Sequence, residues 1–184
     1  VRTAPADLRL HEADTPPSLA PRTKPLGVAL LAGAIAFLYA TWVLILARGY
    51  QPSADSHYHF TVARAMWSEG LAPSPAKGLP WTLLADLPVD HYWGFHLLLM
   101  PFALCPSYEL GLRLATATLF ALVFASFAAF LSRRRVPHPV AWSLLGALFS
   151  NQDWRYLQLR GGQLLLPLAW WLIATCRTAA AARC

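Results

Sequence analysis

From Leu26 to Ala47 no residue carries a charge. As a helix at about 1.5 Å per residue this run is roughly 33 Å long, enough to cross a hydrocarbon core of about 30 Å. In a bilayer every backbone N–H and C=O must be satisfied within the protein, so an apolar run of this length is confined to a helix. A cleaved signal peptide is the rival reading. Its apolar core spans about 7–15 residues and is followed by a small-x-small cleavage site. This run is longer and no such site follows it, so it reads as an uncleaved anchor.

The rest of the chain points the same way. Of its 184 residues 57% are hydrophobic and 13% charged, against about 25% charged in soluble domains. Eight Trp and fifteen Pro also suit a membrane protein, since Trp favours interfaces and Pro is tolerated in spanning helices. The net charge of +6 does not indicate nucleic-acid binding, because the basic residues form short blocks beside apolar runs rather than one stripe. Cys105, Cys176 and Cys184 form no CxxC and imply neither a disulfide framework nor a thiolate metal site.

The expected class is all-α: a polytopic membrane protein with about four transmembrane helices, outer-surface helices and a short re-entrant or interfacial segment. Residues 1–25 read as a Pro-rich, disordered cytoplasmic tail. Residues 26–176 read as a membrane domain with an outer loop at 48–106, and 177–184 as a second cytoplasmic tail. Within the outer loop, Ser53 or Asp55 can cap a helix running to about Glu69, and Gly70 ends it. Tyr58, Val62, Ala63, Met66 and Trp67 give that helix an apolar face. The prolines and Gly78 of 71–89 exclude a long helix, and Trp81 reads as an interface anchor.

Residues 91–105 are apolar but short, which favours a re-entrant segment over a crossing one. Further spans are expected at 107–132, ended by Arg133, Arg134 and Arg135, at 136–150, and at 162–176. A polar turn is expected at 151–161. The dense basic blocks should face the cytoplasm, which leaves the Asp- and His-rich loops outside, with the bacterial inner membrane as the expected location. The first residue is Val and the chain stops soon after its last expected span, as an N-terminal fragment or a shortened reading frame would.

Two clusters can carry chemistry. Asp55 and His59 are one helical turn apart and share a face, with His57 pointing elsewhere. Together they can hold a divalent metal (Mg or Mn), or Asp55 can act as a base with His59 tuning its charge. The plainer alternative is a helix-capping Asp55 and a surface His59. Asp90, His91 and His96 form the second cluster. Asp90 can cap a helix starting at His91. An imidazole such as His96 inside an apolar segment is costly unless it serves a cavity or a partner. The His spacings are not HExxH and no Cys joins them. Arg155 and Arg160 in the polar turn can bind a substrate phosphate bidentately, or pair with lipid phosphates.

The Asp55-Ser-His-Tyr-His59 loop start, followed by Leu79-Pro-Trp-Thr82 and by Asp90-His-Tyr-Trp-Gly-Phe-His96 through Pro101-Phe102, resembles the first part of GT-C integral membrane glycosyltransferases. The latter segments resemble a group of bacterial polytopic proteins of that type, and the resemblance covers about residues 26–176. The resemblance implies transfer from a polyprenyl-phosphate-linked sugar on the outer leaflet, with membrane lipid as partner. It implies Asp55 at the catalytic centre as base or metal ligand, and Arg155 or Arg160 at the leaving phosphate of the substrate. The two clusters extend these candidates to Asp90 as a second catalytic carboxylate, to His59, His91 and His96 as metal ligands with Asp55, and to Tyr58 for substrate. GT-C cores have seven or more spans, so the chain is expected to be an incomplete portion. A non-catalytic membrane protein or remnant is the alternative, and a transporter fragment a third.

Overall fold

The structure is a computed structural model that describes residues 24–46, 52–71, 90–150 and 161–181. Among these residues it is all-helical. Helix α1 (Pro25–Thr41) runs into a π-helical turn, Trp42–Leu46. It is followed by α2 (Ala54–Glu69), α3 (Trp93–Ala103), α4 (Tyr108–Arg133) and α5 (Pro139–Ser150). A 3-10 turn (Gly161–Leu164) leads into α6 (Leu165–Ala181). The expected interface anchor Trp81, in 72–89, and the turn holding Arg155 and Arg160 fall outside the described residues.

Local chemistry sets the helix ends. Pro25 opens α1, where its missing N–H costs nothing. The Ser53 hydroxyl accepts a hydrogen bond from the Ser56 N–H at 3.2 Å and caps α2. Gly70, with φ 106°, ends it in a conformation that side chains disfavour. Ser107 caps α4 in the same manner through the Leu110 N–H at 3.3 Å. Asp90 acts two residues earlier than a cap: α3 begins at Trp93, and one Asp90 oxygen accepts from the Tyr92 N–H at 2.9 Å.

Helices α1 and α4 form the antiparallel centre of the molecule. Val28, Ala32, Ala36 and Ala40 recur every four residues and are all buried. They meet α4 along a surface that includes Ala117, Ala121 and Ala128. A Cβ on Gly33 would stand 3.0 Å from the Ala125 Cβ, so the two backbones approach closely. Helix α5 lies against α4 with its chain direction reversed, the buried Ser143 hydroxyl donating to the Phe124 carbonyl at 2.7 Å. Helix α6 returns along α4, with the Trp170 ring tilted against Phe127, centroids 4.9 Å apart, and Arg134 donating to the Ile173 carbonyl at 2.9 Å. Helices α2 and α3 cover one end, where Phe60, Ala63, Phe95 and Leu99 close over Leu112, Ala115 and Leu119.

Pro25–Leu46 and Tyr108–Arg133 are long and apolar enough to cross a membrane. The expected spans at 136–150 and 162–176 correspond to the shorter α5 (12 residues) and to a 3-10 turn plus α6 (17 residues). Helix α3, with 11 residues, is short as its sequence suggested. The apolar windows of the two long helices are only 33% and 44% buried. The core helix of a water-soluble protein would be mostly buried. Instead Leu30, Leu38, Trp42, Leu122, Trp142, Phe149 and Trp171 all face outward. Trp67 is also exposed, against the expectation that it joins the apolar face of α2; Phe60 and His59 are buried there in its place.

Candidate functional site

The end covered by α2 and α3 carries the chemistry-bearing side chains. His59 occupies the second turn of α2 and His96 the first turn of α3, and both are buried. Their rings meet through His59 Nδ1 and His96 Nε2 at 2.8 Å. The other nitrogen of His96, Nδ1, lies 2.5 Å from Asp90 Oδ2. Asp90, His96 and His59 therefore form one hydrogen-bonded relay from a residue three positions before α3 to the second turn of α2.

The donor and acceptor roles follow from the chain's ends. The Asp90 carboxylate only accepts, so His96 Nδ1–H donates to it. His96 is fully buried, and that burial lowers its pKa despite the opposing pull of the Asp90 hydrogen bond and charge. The ring is thus neutral near pH 7, its Nε2 accepts, and His59 Nδ1–H donates. Aromatic rings wall the relay. Tyr58 stands edge-on to His96 with centroids 5.7 Å apart, and Tyr92 and Phe95 stand edge-on to His59 at 4.8 and 5.0 Å. Burial, and then the nearby Asp90 and Tyr92, raise the pKa of Tyr58 and keep its phenol protonated.

A pH dependence follows. The folded state favours neutral His96, whereas the unfolded ring titrates near 6.5. The stabilisation is complete above about pH 6.5 and is lost as the pH falls from there toward the lowered pKa of the folded protein. Thermal unfolding in detergent should show a drop in midpoint between about pH 7.5 and 5.5, and a smaller drop in His96→Phe. An equal drop in both would remove His96 as its source.

Of the residues singled out from sequence, the structure joins Asp90, His96, His59 and Tyr58. Asp55 and His91 are exposed: Asp55 in the first turn of α2, one turn before His59, and His91 in the turn leading to α3. The relay is not arranged as a metal chelate. Both nitrogens of His96 are engaged, so the ring offers no lone pair to a cation. Among the described residues no group of three or more His, Cys, Asp or Glu could hold a metal ion.

Two further groups brace this end, and neither stood out in the sequence. Tyr108, at the start of α4, donates to the His57 carbonyl at 3.1 Å, stacks on the His57 ring and meets Thr61 at 3.0 Å. Arg113 reaches back to the π-helical turn and donates to the Leu44 carbonyl at 2.5 Å, with Glu109 at 3.8 Å. A Tyr one residue after a helix cap, or an Arg six after it, is unremarkable locally; only the approach of Leu44 and His57 gives these two a role. Compared with family models, with curated proteins and with solved structures, the chain matches none.

Proposed function

We propose that this chain is an integral membrane protein carrying the catalytic-loop portion of a GT-C-type glycosyltransferase. The reaction is sugar transfer from a polyprenyl-phosphate-linked donor on the outer leaflet. The outward apolar surfaces support the membrane placement. The alternating directions of α1, α4, α5 and α6 suit about four passages, with the basic turn at Arg133–Arg135 on the cytoplasmic side.

The observation that carries the reading is the buried relay. It locks α2 to α3 and so holds an exposed carboxylate, Asp55, at a defined place on the same helix. In transfer, the sugar C1–O bond to the donor phosphate breaks and a C1–O bond to an acceptor hydroxyl forms. The acceptor proton passes to the Asp55 carboxylate and polyprenyl phosphate leaves. Asp90, His96 and His59 act as positioning residues, and Tyr58 walls them. Arg155 and Arg160 are assigned to the leaving phosphate. A divalent cation, Mg or Mn, prefers oxygen ligands and would be held by Asp55 with the donor phosphate rather than by the imidazoles.

The test uses the full-length protein that carries this portion, in lipid nanodiscs with polyprenyl-phosphate monosaccharides and a membrane extract as acceptor. Release of polyprenyl phosphate is expected, and Asp55→Asn should lower it by about 10²-fold or more. Absence of release by the unaltered full-length protein, or unaltered release by its Asp55→Asn variant, overturns the reading.

A further inference from the structure

At the end of the bundle opposite the relay, an open groove of about 670 Å³ runs between the starts of α1 and α5. Its wall is formed by Gly27, Val28 and Leu31 on one side and by Pro139, Val140 and Leu144 on the other. Pockets of about 300–1,000 Å³ are the usual size for small-molecule and cofactor sites. The wall is almost wholly apolar, yet its lining also includes two basic residues, Lys24 and His138.

Both basic residues directly precede a helix. Lys24 stands immediately before α1, whose first turn has no side-chain cap, and His138 immediately before α5. The positive ends of two helix dipoles thus adjoin the two basic side chains. His138 also takes a left-handed backbone, φ 53°, uncommon for a residue with a side chain. An apolar trough with a doubly basic lining matches an amphiphile with a negative head and a hydrocarbon tail.

We propose that this groove binds an anionic phospholipid, with an acyl chain along Val28, Leu31, Val140 and Leu144 and the phosphate at Lys24 and His138. The site rests on the membrane placement above but not on the transferase reading. It lies at the end of α1 that the Arg133–Arg135 turn approaches, where anionic headgroups of the cytoplasmic leaflet would meet it.

The test is native mass spectrometry of the purified chain in detergent, titrated with phosphatidylglycerol and with phosphatidylcholine of identical acyl chains. Two variants separate head from tail. Lys24→Gln with His138→Gln removes the lysine charge and the imidazole. Gly27→Phe fills the trough, and a Cβ at Gly27 meets nothing within 4 Å, so the helix accepts it. Selective retention of phosphatidylglycerol is expected, reduced about fivefold or more by the charge variant. Gly27→Phe should abolish retention of either lipid. Equal retention of the two lipids overturns the proposal, as does retention untouched by both variants. No retained lipid, with a dimer that Gly27→Phe disrupts, assigns the groove to a second copy instead. Carbonate extraction of membranes separates the two failures: a chain released by carbonate fails the membrane placement itself.

Discussion

Replacing His96 by alanine should cost about 2–4 kcal/mol of stability, the range for deleting a large buried side chain and orphaning its polar partners. The ring has no exposed surface. Its loss opens a void beside Tyr58 and Phe95, which pack around it. It also removes the donor to the Asp90 carboxylate, itself only 9% exposed, and the acceptor for His59 Nδ1–H. The matched control is His91→Ala, five residues earlier and exposed, which should stay within about 0.5 kcal/mol of the parent. Equilibrium unfolding in mixed micelles, followed by Trp fluorescence, reads both. A double-mutant cycle of His59→Ala and His96→Ala should show a coupling of about 0.5–3 kcal/mol, as for directly bonded partners. Additive effects would mean that the 2.8 Å contact contributes nothing, and the relay would lose its place in the functional argument.

The second large effect is expected at Gly111, and there adding a single methyl group is enough. A Cβ at this position would lie 2.6 Å from the Phe102 carbonyl oxygen, 2.7 Å from the Phe60 ring and 3.2 Å from the Cys105 Cβ. A side-chain tip can rotate away, but the Phe102 carbonyl belongs to the end of α3 and cannot yield without moving that helix. Gly111→Ala should therefore destabilise by about 1–3 kcal/mol, the usual cost of overpacking, even though alanine is the better helix former by about 1 kcal/mol. Gly94→Ala in α3 is the counterpart, since nothing lies within 4 Å of its Cβ, and it should be neutral or mildly stabilising. If Gly111→Ala unfolds at the same denaturant concentration as the parent, the tight junction of α2, α3 and α4 is not a constraint. If it is destabilised, it should also loosen the relay, because Phe60 shares α2 with His59.

The opposite expectations for two glycines of one chain rest on contacts that the sequence does not carry. Nothing in the neighbours of Gly111 distinguishes it from Gly94. The difference arises from residues on two other helices. The same holds for Trp67, which fits the apolar periodicity of α2 yet points outward. The periodicity counts apolar residues but does not say which stripe the rest of the molecule covers. His59 shared a face with Asp55 in the sequence reading, and the structure turns that face partly inward: the ring is buried while the carboxylate one turn earlier stays exposed.

Helix length, apolar content and end signals are properties of neighbouring residues. The uncharged run after Pro25, a cap at Ser53 or Asp55, the stop at Gly70 and the brevity of α3 were therefore legible before any fold was known. The clustering of Asp and His residues in two short segments was legible too. Their pairing was not. His59 and His96 are 37 residues apart, and their contact depends on α2 and α3 packing together over α4. The same packing makes His96 neutral, sets both imidazole tautomers and leaves Asp55 at the surface. Local rules placed each group on its helix. Only the close approach of the helices, which excludes water and brings distant polar atoms within hydrogen-bond reach, decided what each group does there.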